Sequence, residues 1–209
     1  MSNHDLEAGA ARADLCRLLA AYYYEPGPEF AEERLFDSML GAATQVGPEY
    51  ASLAQRVGDA FAGEDPQTLL VDYTRLFLGP VDAAAKPYGS VWLTGEATLM
   101  QPQSMAVLEF YREGGFDLSE DFRELPDHVA AELEFLYLTL FRENAARRAD
   151  DLDGVAAALE LRRRFLTDHL GAWVEPFTRA MESAARTDYY RRLALLTRRF
   201  VTAELRDCS

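Results

Sequence analysis

Apolar residues recur at helical spacing along nearly the whole chain, and almost every such run is bounded by glycine or proline. Leu15, Leu18, Leu19 and Tyr22 form a first stripe that stops at Glu25-Pro26-Gly27-Pro28; Phe30, Leu35, Phe36, Met39 and Leu40 form a second; Tyr50, Leu53, Val57 and Phe61 form a third. Asp65-Pro66 opens a fourth helix with Leu69, Leu70, Tyr73, Leu76 and Phe77 on its apolar face, and Gly79-Pro80 stops it. The pattern then breaks, because residues 79–95 hold too many glycines and prolines for a helix and only Val91-Trp92-Leu93 could run extended. Helical spacing resumes through Met105, Leu108 and Tyr111, and Gly114-Gly115 begins a second irregular stretch that leads to Pro126. Three more helices are expected near 151–168, 170–185 and 188–205. These observations predict an all-α, single-domain helical bundle over 1–209 with two ordered inter-helix loops, about 79–95 and 114–126.

A chain of 209 residues with 49% hydrophobic content can bury a full core as one domain, or at most as two closely packed halves. No apolar run approaches the ~20 residues of a membrane span, and the first residues are acidic where a secretory leader would be basic. A cytoplasmic location is the expectation. Cys16 and Cys208 form no CxxC pair, and His4, His128 and His169 are scattered, so neither a disulfide framework nor a metal site is expected. The net charge of −14 is uneven: residues 1–141 carry 8 basic against 24 acidic side chains, residues 142–209 carry 13 against 11. Such a surface repels nucleic acid and anionic membrane and suits a basic peptide, although acidity also serves solubility alone.

The most informative segment runs from Glu124 to Leu136. Pro126 suits a helix entrance and Asp127 could cap the first turn, so a helix is expected to start at Pro126–Asp127. Val129, Leu133, Leu136 and Leu140 set its stripe, widened by Phe135, Leu138 and Phe141, and His128 is expected near the surface or lining a cleft. Read by residue type alone, Asp127 is a cap and His128 a partly buried imidazole. In the first loop, Tyr88 and Trp92 either plug the loop onto the core or line an apolar groove.

The segment with Pro126, Asp127, His128 and Glu132 resembles the signature of the TorD/DmsD family of redox-enzyme maturation chaperones. The loop Leu76-Phe77, Gly79-Pro80, Tyr88-Gly89-Ser90-Val91-Trp92 is similar to that family's hinge-loop segment. The first helix through Tyr22-Tyr23-Tyr24, and His169, Trp173, Tyr190 and Leu196 further on, extend the likeness over most of the chain. The resemblance implies a chaperone without enzymatic turnover or cofactor. Its partner would be the twin-arginine leader and apo form of a molybdenum-cofactor oxidoreductase, whose cofactor insertion it would aid and whose export it would delay. The implied leader-binding residues are Tyr23, Trp92, Asp127 and His128, with Leu76, Phe77, Tyr88 and Glu132 secondary. Thr94-Gly95 stands where some members carry an arginine, so that residue's role does not transfer. The macrodipole at a helix start repels a cation, which makes Glu124, Glu132 or Glu134 alternative guanidinium partners.

Other functional classes find little support. Asp127-His128 has no GxSxG elbow beside it, and the only lysine, Lys86, has no phosphate-loop motif. A helical adaptor of the nitrate reductase delta type, binding a leaderless enzyme subunit, is the alternative reading. The long loop permits a domain-swapped homodimer as well as a monomer, and Arg162-Arg163-Arg164 reads as a solvated face or a contact with an acidic client body.

Overall fold

The computed structural model describes residues 3–27, 30, 33–79, 83–94, 102–119 and 122–208. The chain is all-α, as its periodicity predicts. Its helices are α1 (Asn3–Ala21), α2 (Leu35–Val46), α3 (Pro48–Gly63), α4 (Pro66–Tyr73), α5 (Gly89–Thr94), α6 (Pro102–Glu113), α7 (Val129–Arg148), α8 (Leu152–Asp168), α9 (Leu170–Ala184) and α10 (Asp188–Asp207). Pro28, Pro80 and Gly95, expected as breakers, lie outside the described residues. No described helix is long and apolar enough to cross a membrane.

Local chemistry sets several of the boundaries. Asp65 accepts from Thr68 N at 3.0 Å and Pro66 occupies the first turn of α4, while Asp151 accepts from Gly154 N at 2.9 Å at the start of α8. α4 runs into a π-helical turn, Thr74–Leu78, which buries Leu76 and Phe77. At the end of α6, Gly115 takes a left-handed φ of 56°. Its N–H donates to Arg112 O and that of Phe116 to Tyr111 O, which turns the chain back over Tyr111 and Phe135.

α7 is the central helix. It packs on α1 and α8, α1 packs on α2, and α10 joins α9 to α3. Burial extends around much of α7, from Val129 through Leu136 to Leu140, so its sequence is apolar on more than one face. Phe141 departs from the expected stripe: it is 53% exposed, and its one ring contact among the described residues is with Tyr137 on its own helix. Arg162 departs in the other direction, being buried within the arginine run expected to face solvent. Its guanidinium pairs with Glu143 and donates to Cys208 Sγ at 3.0 Å, and Glu143 also holds Arg147. An ion pair on facing helices makes that burial tolerable. Both cysteines are free thiols.

A second buried carboxylate fixes the α9–α10 turn. Asp72 Oδ2 accepts from Arg186 N at 2.9 Å, Thr187 N at 2.8 Å and Thr187 Oγ1 at 2.9 Å, while Oδ1 takes Arg75 at 2.7 Å. Burial works to raise its pKa, but these hydrogen bonds outweigh burial and hold the carboxyl below its usual range. Asp72→Ala leaves two backbone amides without an acceptor and is expected to cost about 3 kcal/mol in urea unfolding. The wild-type advantage should be complete above pH ~4 and shrink as the pH falls through the depressed folded value.

Candidate functional site

The segment Glu124–Glu132 forms a latch between α7 and the first loop. α7 starts at Val129, later than expected. Its cap is His128, in extended conformation, whose Nδ1 accepts from Ala130 N at 3.2 Å. Asp127 does not cap α7. Its Oδ2 accepts from Ser90 N at 2.8 Å and its Oδ1 from Ser104 Oγ at 2.9 Å, so one carboxylate ties α5 and α6 to the entrance of α7. The backbone completes the junction: Gly89 N donates to Asp127 O, Val129 N donates to Pro87 O, and Tyr88 pairs with His128 as an antiparallel bridge. Tyr111 hydroxyl donates to Pro126 O at 2.7 Å. The stretch that could have run extended, Val91-Trp92-Leu93, lies in the short helix α5, whose first free amides are taken by Asp127: Ser90 N donates to its carboxylate and Gly89 N to its carbonyl.

Glu132 lies directly beneath this junction. It is fully buried, and its Oε2 accepts from Trp173 Nε1 at 3.0 Å while Oε1 has no partner among the described residues. Burial pushes its carboxyl well above the usual range, against the opposing pull of the indole N–H. Gly89 covers it closely. A Cβ there would stand 2.8 Å from Trp173 Nε1 and 3.1 Å from Glu132 Oε1, which leaves room only for glycine.

His128, expected near the surface or lining a cleft, is buried behind the lining of the pocket described next, inside a cage of Tyr88, Tyr24 and Phe122 rings with centroids 5.4, 6.4 and 6.4 Å away. Desolvation lowers its pKa to about 4, outweighing the raising effect of Glu124 and Asp127, and the imidazole is neutral at physiological pH. Outside the cage opens a pocket of about 470 Å³. Tyr24, Phe116, Leu118 and Phe122 give it an apolar floor, and Glu124, Glu134 and Asp117 outnumber Arg123 on its lining. Tyr24 hydroxyl donates to Glu134 at 3.2 Å and Tyr88 hydroxyl to Glu124 at 2.5 Å. Burial raises the Glu134 pKa against the opposing bond from Tyr24, and burial followed by the neighbouring glutamates raises both tyrosines.

The structure therefore groups Tyr88, Asp127, His128 and Glu132 at one junction and separates the remaining candidates. Tyr23 and Phe77 are core residues gathered around Phe177, and Tyr23 donates to Thr197 Oγ1 at 2.9 Å. Leu76 is fully buried. Trp92 is half-buried, edge-on to Phe177, with Nε1 donating to Lys86 O at 2.8 Å. Tyr24, Phe116 and Phe122 were not singled out by sequence reasoning, and their signal is weak: a third tyrosine in a row, and two aromatics in a polar loop.

Residues 41–179 match the family model described as nitrate reductase delta subunit. The chain belongs to this family. A chaperone protein TorD from Shewanella loihica is 25% identical over 94% of this chain and 92% of its own length. A selenate reductase assembly chaperone protein from Thauera selenatis is 44% identical over 37% of this chain and 39% of its own. A crystal structure assigned as a redox enzyme maturation protein from Archaeoglobus fulgidus shares the fold, with a TM-score of 0.53 and 23% identity over 90% of this chain and 92% of that one. The likeness to TorD/DmsD chaperones read from the motifs thus extends over nearly the full length.

Two outcomes follow for this member of the delta subunit family. Gly89→Ala should destabilise the fold by about 2 kcal/mol in denaturant titration, because the added methyl displaces the indole or the carboxyl. Because the His128 pKa is lowered by folding, its stabilising share is complete above pH 6.5 and is lost as the pH falls toward 4. Relative to His128→Asn, which retains a capping acceptor, the wild type should lose roughly 3 kcal/mol across that window.

Proposed function

We propose that this chain is a maturation chaperone for a molybdenum-cofactor oxidoreductase, acting without turnover or cofactor in the cytoplasm. It takes the twin-arginine leader of the apo enzyme, aids insertion of the cofactor and delays export. The observation that carries this reading is the pocket outside the His128 cage, where carboxylates stand over an aromatic floor. Two guanidinium groups followed by an apolar stretch need that combination, and a planar guanidinium gains more than an ammonium from carboxylates held in place. Glu134 and Glu124 are the direct partners in this reading. Each is already oriented by a tyrosine hydroxyl, with further lone pairs open. The names of the TorD and selenate reductase relatives support the chaperone class.

Asp127, His128, Tyr88 and Glu132 act behind the pocket by holding the latch, and Tyr23, Leu76, Phe77 and Trp92 hold the core wall to which the loop is fastened. The macrodipole objection to Asp127 as the arginine partner gains weight from its burial and its two acceptor bonds. The family model's description favours one other reading, an adaptor that grips an enzyme subunit through a segment lacking adjacent arginines.

The test is calorimetric titration with a synthetic peptide carrying two adjacent arginines and an apolar stretch, beside its Lys-Lys counterpart. The Arg-Arg peptide should bind more tightly, and Glu124→Gln combined with Glu134→Gln should weaken it about tenfold or more and flatten its salt dependence. Equal affinity for both peptides, with the double variant unchanged, would move the function to the adaptor.

A further inference from the structure

The C-terminal helix carries a feature that leader recognition does not use. On α10, Leu195, Arg198, Arg199, Thr202, Ala203 and Arg206 follow at spacings of three and four, so they form a single stripe. That stripe is one wall of a groove of about 360 Å³, closed by Tyr50 at the start of α3 and by Arg179 on α9. The groove shares no lining residue with the pocket at Tyr24.

Its charge runs against that of the rest of the molecule. Four arginines line it against two glutamates, Glu49 and Glu175, in a protein of net charge −14. α10 is sorted by sign. Its acids near this end, Glu204 and Asp207, turn toward Arg12 of α1, with Glu204 almost fully buried. The arginines are only partly satisfied. Arg198 bonds Glu182 at 2.8 Å through Nη2, while its Nη1 is shielded from solvent and has no partner among the described residues. Arg199 is 61% exposed and approaches Glu49 no closer than 3.9 Å, and exposed Arg206 pairs with no carboxylate among the described residues. Arg179 is held by Glu175, but both side chains are more than half exposed and that pair is weak.

The spacing of the cations indicates the shape of the ligand. From Leu195 to Arg206 the stripe runs roughly 16 Å at the rise of an α-helix, and two turns separate Arg198 and Arg199 from Arg206. A single phosphate reaches one end only. A polypeptide with carboxylates spaced along it reaches both, and Leu195, Ala203 and Tyr50 offer it a small apolar floor. We propose that this groove is a second docking surface and takes an acidic segment of a partner protein. The proposal stands on the groove alone and does not depend on the leader reading.

Fluorescence anisotropy of a labelled ten-residue peptide of alternating Glu and Ala, with the full chain, tests it. Binding is expected at about 0.05 M salt, falling away by about 0.3 M. Arg199→Glu combined with Arg206→Glu changes two exposed side chains and should weaken binding about tenfold, with the helical circular dichroism unchanged. Absent binding at low salt, or equal binding to the variant, overturns the proposal. Displacement by an equal concentration of ATP or inorganic phosphate reassigns the groove to a small anion. Salt-sensitive self-association of the chain that the same variant abolishes reassigns it to a second copy, and either result also overturns the proposal. Leader-peptide affinity should be the same in the variant, which separates this outcome from the test of the pocket.

Discussion

The carboxylate of Asp127 is the joint on which the functional half of the molecule depends. It accepts from the backbone of α5 and from a side chain of α6, and its own carbonyl receives the amide of Gly89. Three chain segments far apart in sequence meet there, and each would otherwise leave a polar group buried without a partner. The next residue, His128, caps α7, and two of the aromatic rings around that cap, Tyr24 and Phe122, also line the pocket. Site and scaffold are therefore built from the same few hydrogen bonds.

The bundle was legible because burying one face of a helix imposes a period on sequence, and the stripes closing with Tyr22 and Phe61 each mark a helix. The entrance of α7 was misread for a physical reason. Pro126 and Asp127 have the chemistry of a helix start, but the acceptors of Asp127 are spent on Ser90 and Ser104, 37 and 23 positions earlier, and local pattern carries no information about those partners. The same limit hid α5, a single turn among glycines held helical by a distant carboxylate, and Arg162, whose partner Glu143 sits on a neighbouring helix. Of the candidate site residues, the sequence located the junction and not the surface that faces solvent. Loop aromatics such as Phe116 and Phe122 become a pocket floor only when the Gly115 turn folds them back.

Buried charge is distributed in this protein by a simple rule. Asp72, Glu143 and Glu204 each meet a guanidinium, and the first also meets backbone amides, so they tie elements of the bundle together; the partners of Asp72 and Glu143 outweigh burial and hold those two carboxyls below the usual range. Glu132 meets only an indole among the described residues, and burial pushes its carboxyl well above the usual range. The half-buried Glu124 and Glu134 are left for the pocket and exposed acids for the general surface, while Arg162 pairs inside the bundle and other arginines of the last third line one groove on the outside.

The chain has only two tryptophans, and both indole N–H groups end in this half of the molecule, Trp173 on Glu132 beneath Gly89 and Trp92 on Lys86 of the first loop. Its ultraviolet emission therefore originates almost wholly beside the junction. The protein carries a built-in optical gauge: whatever loosens the loop from α7 changes the polarity around the indoles.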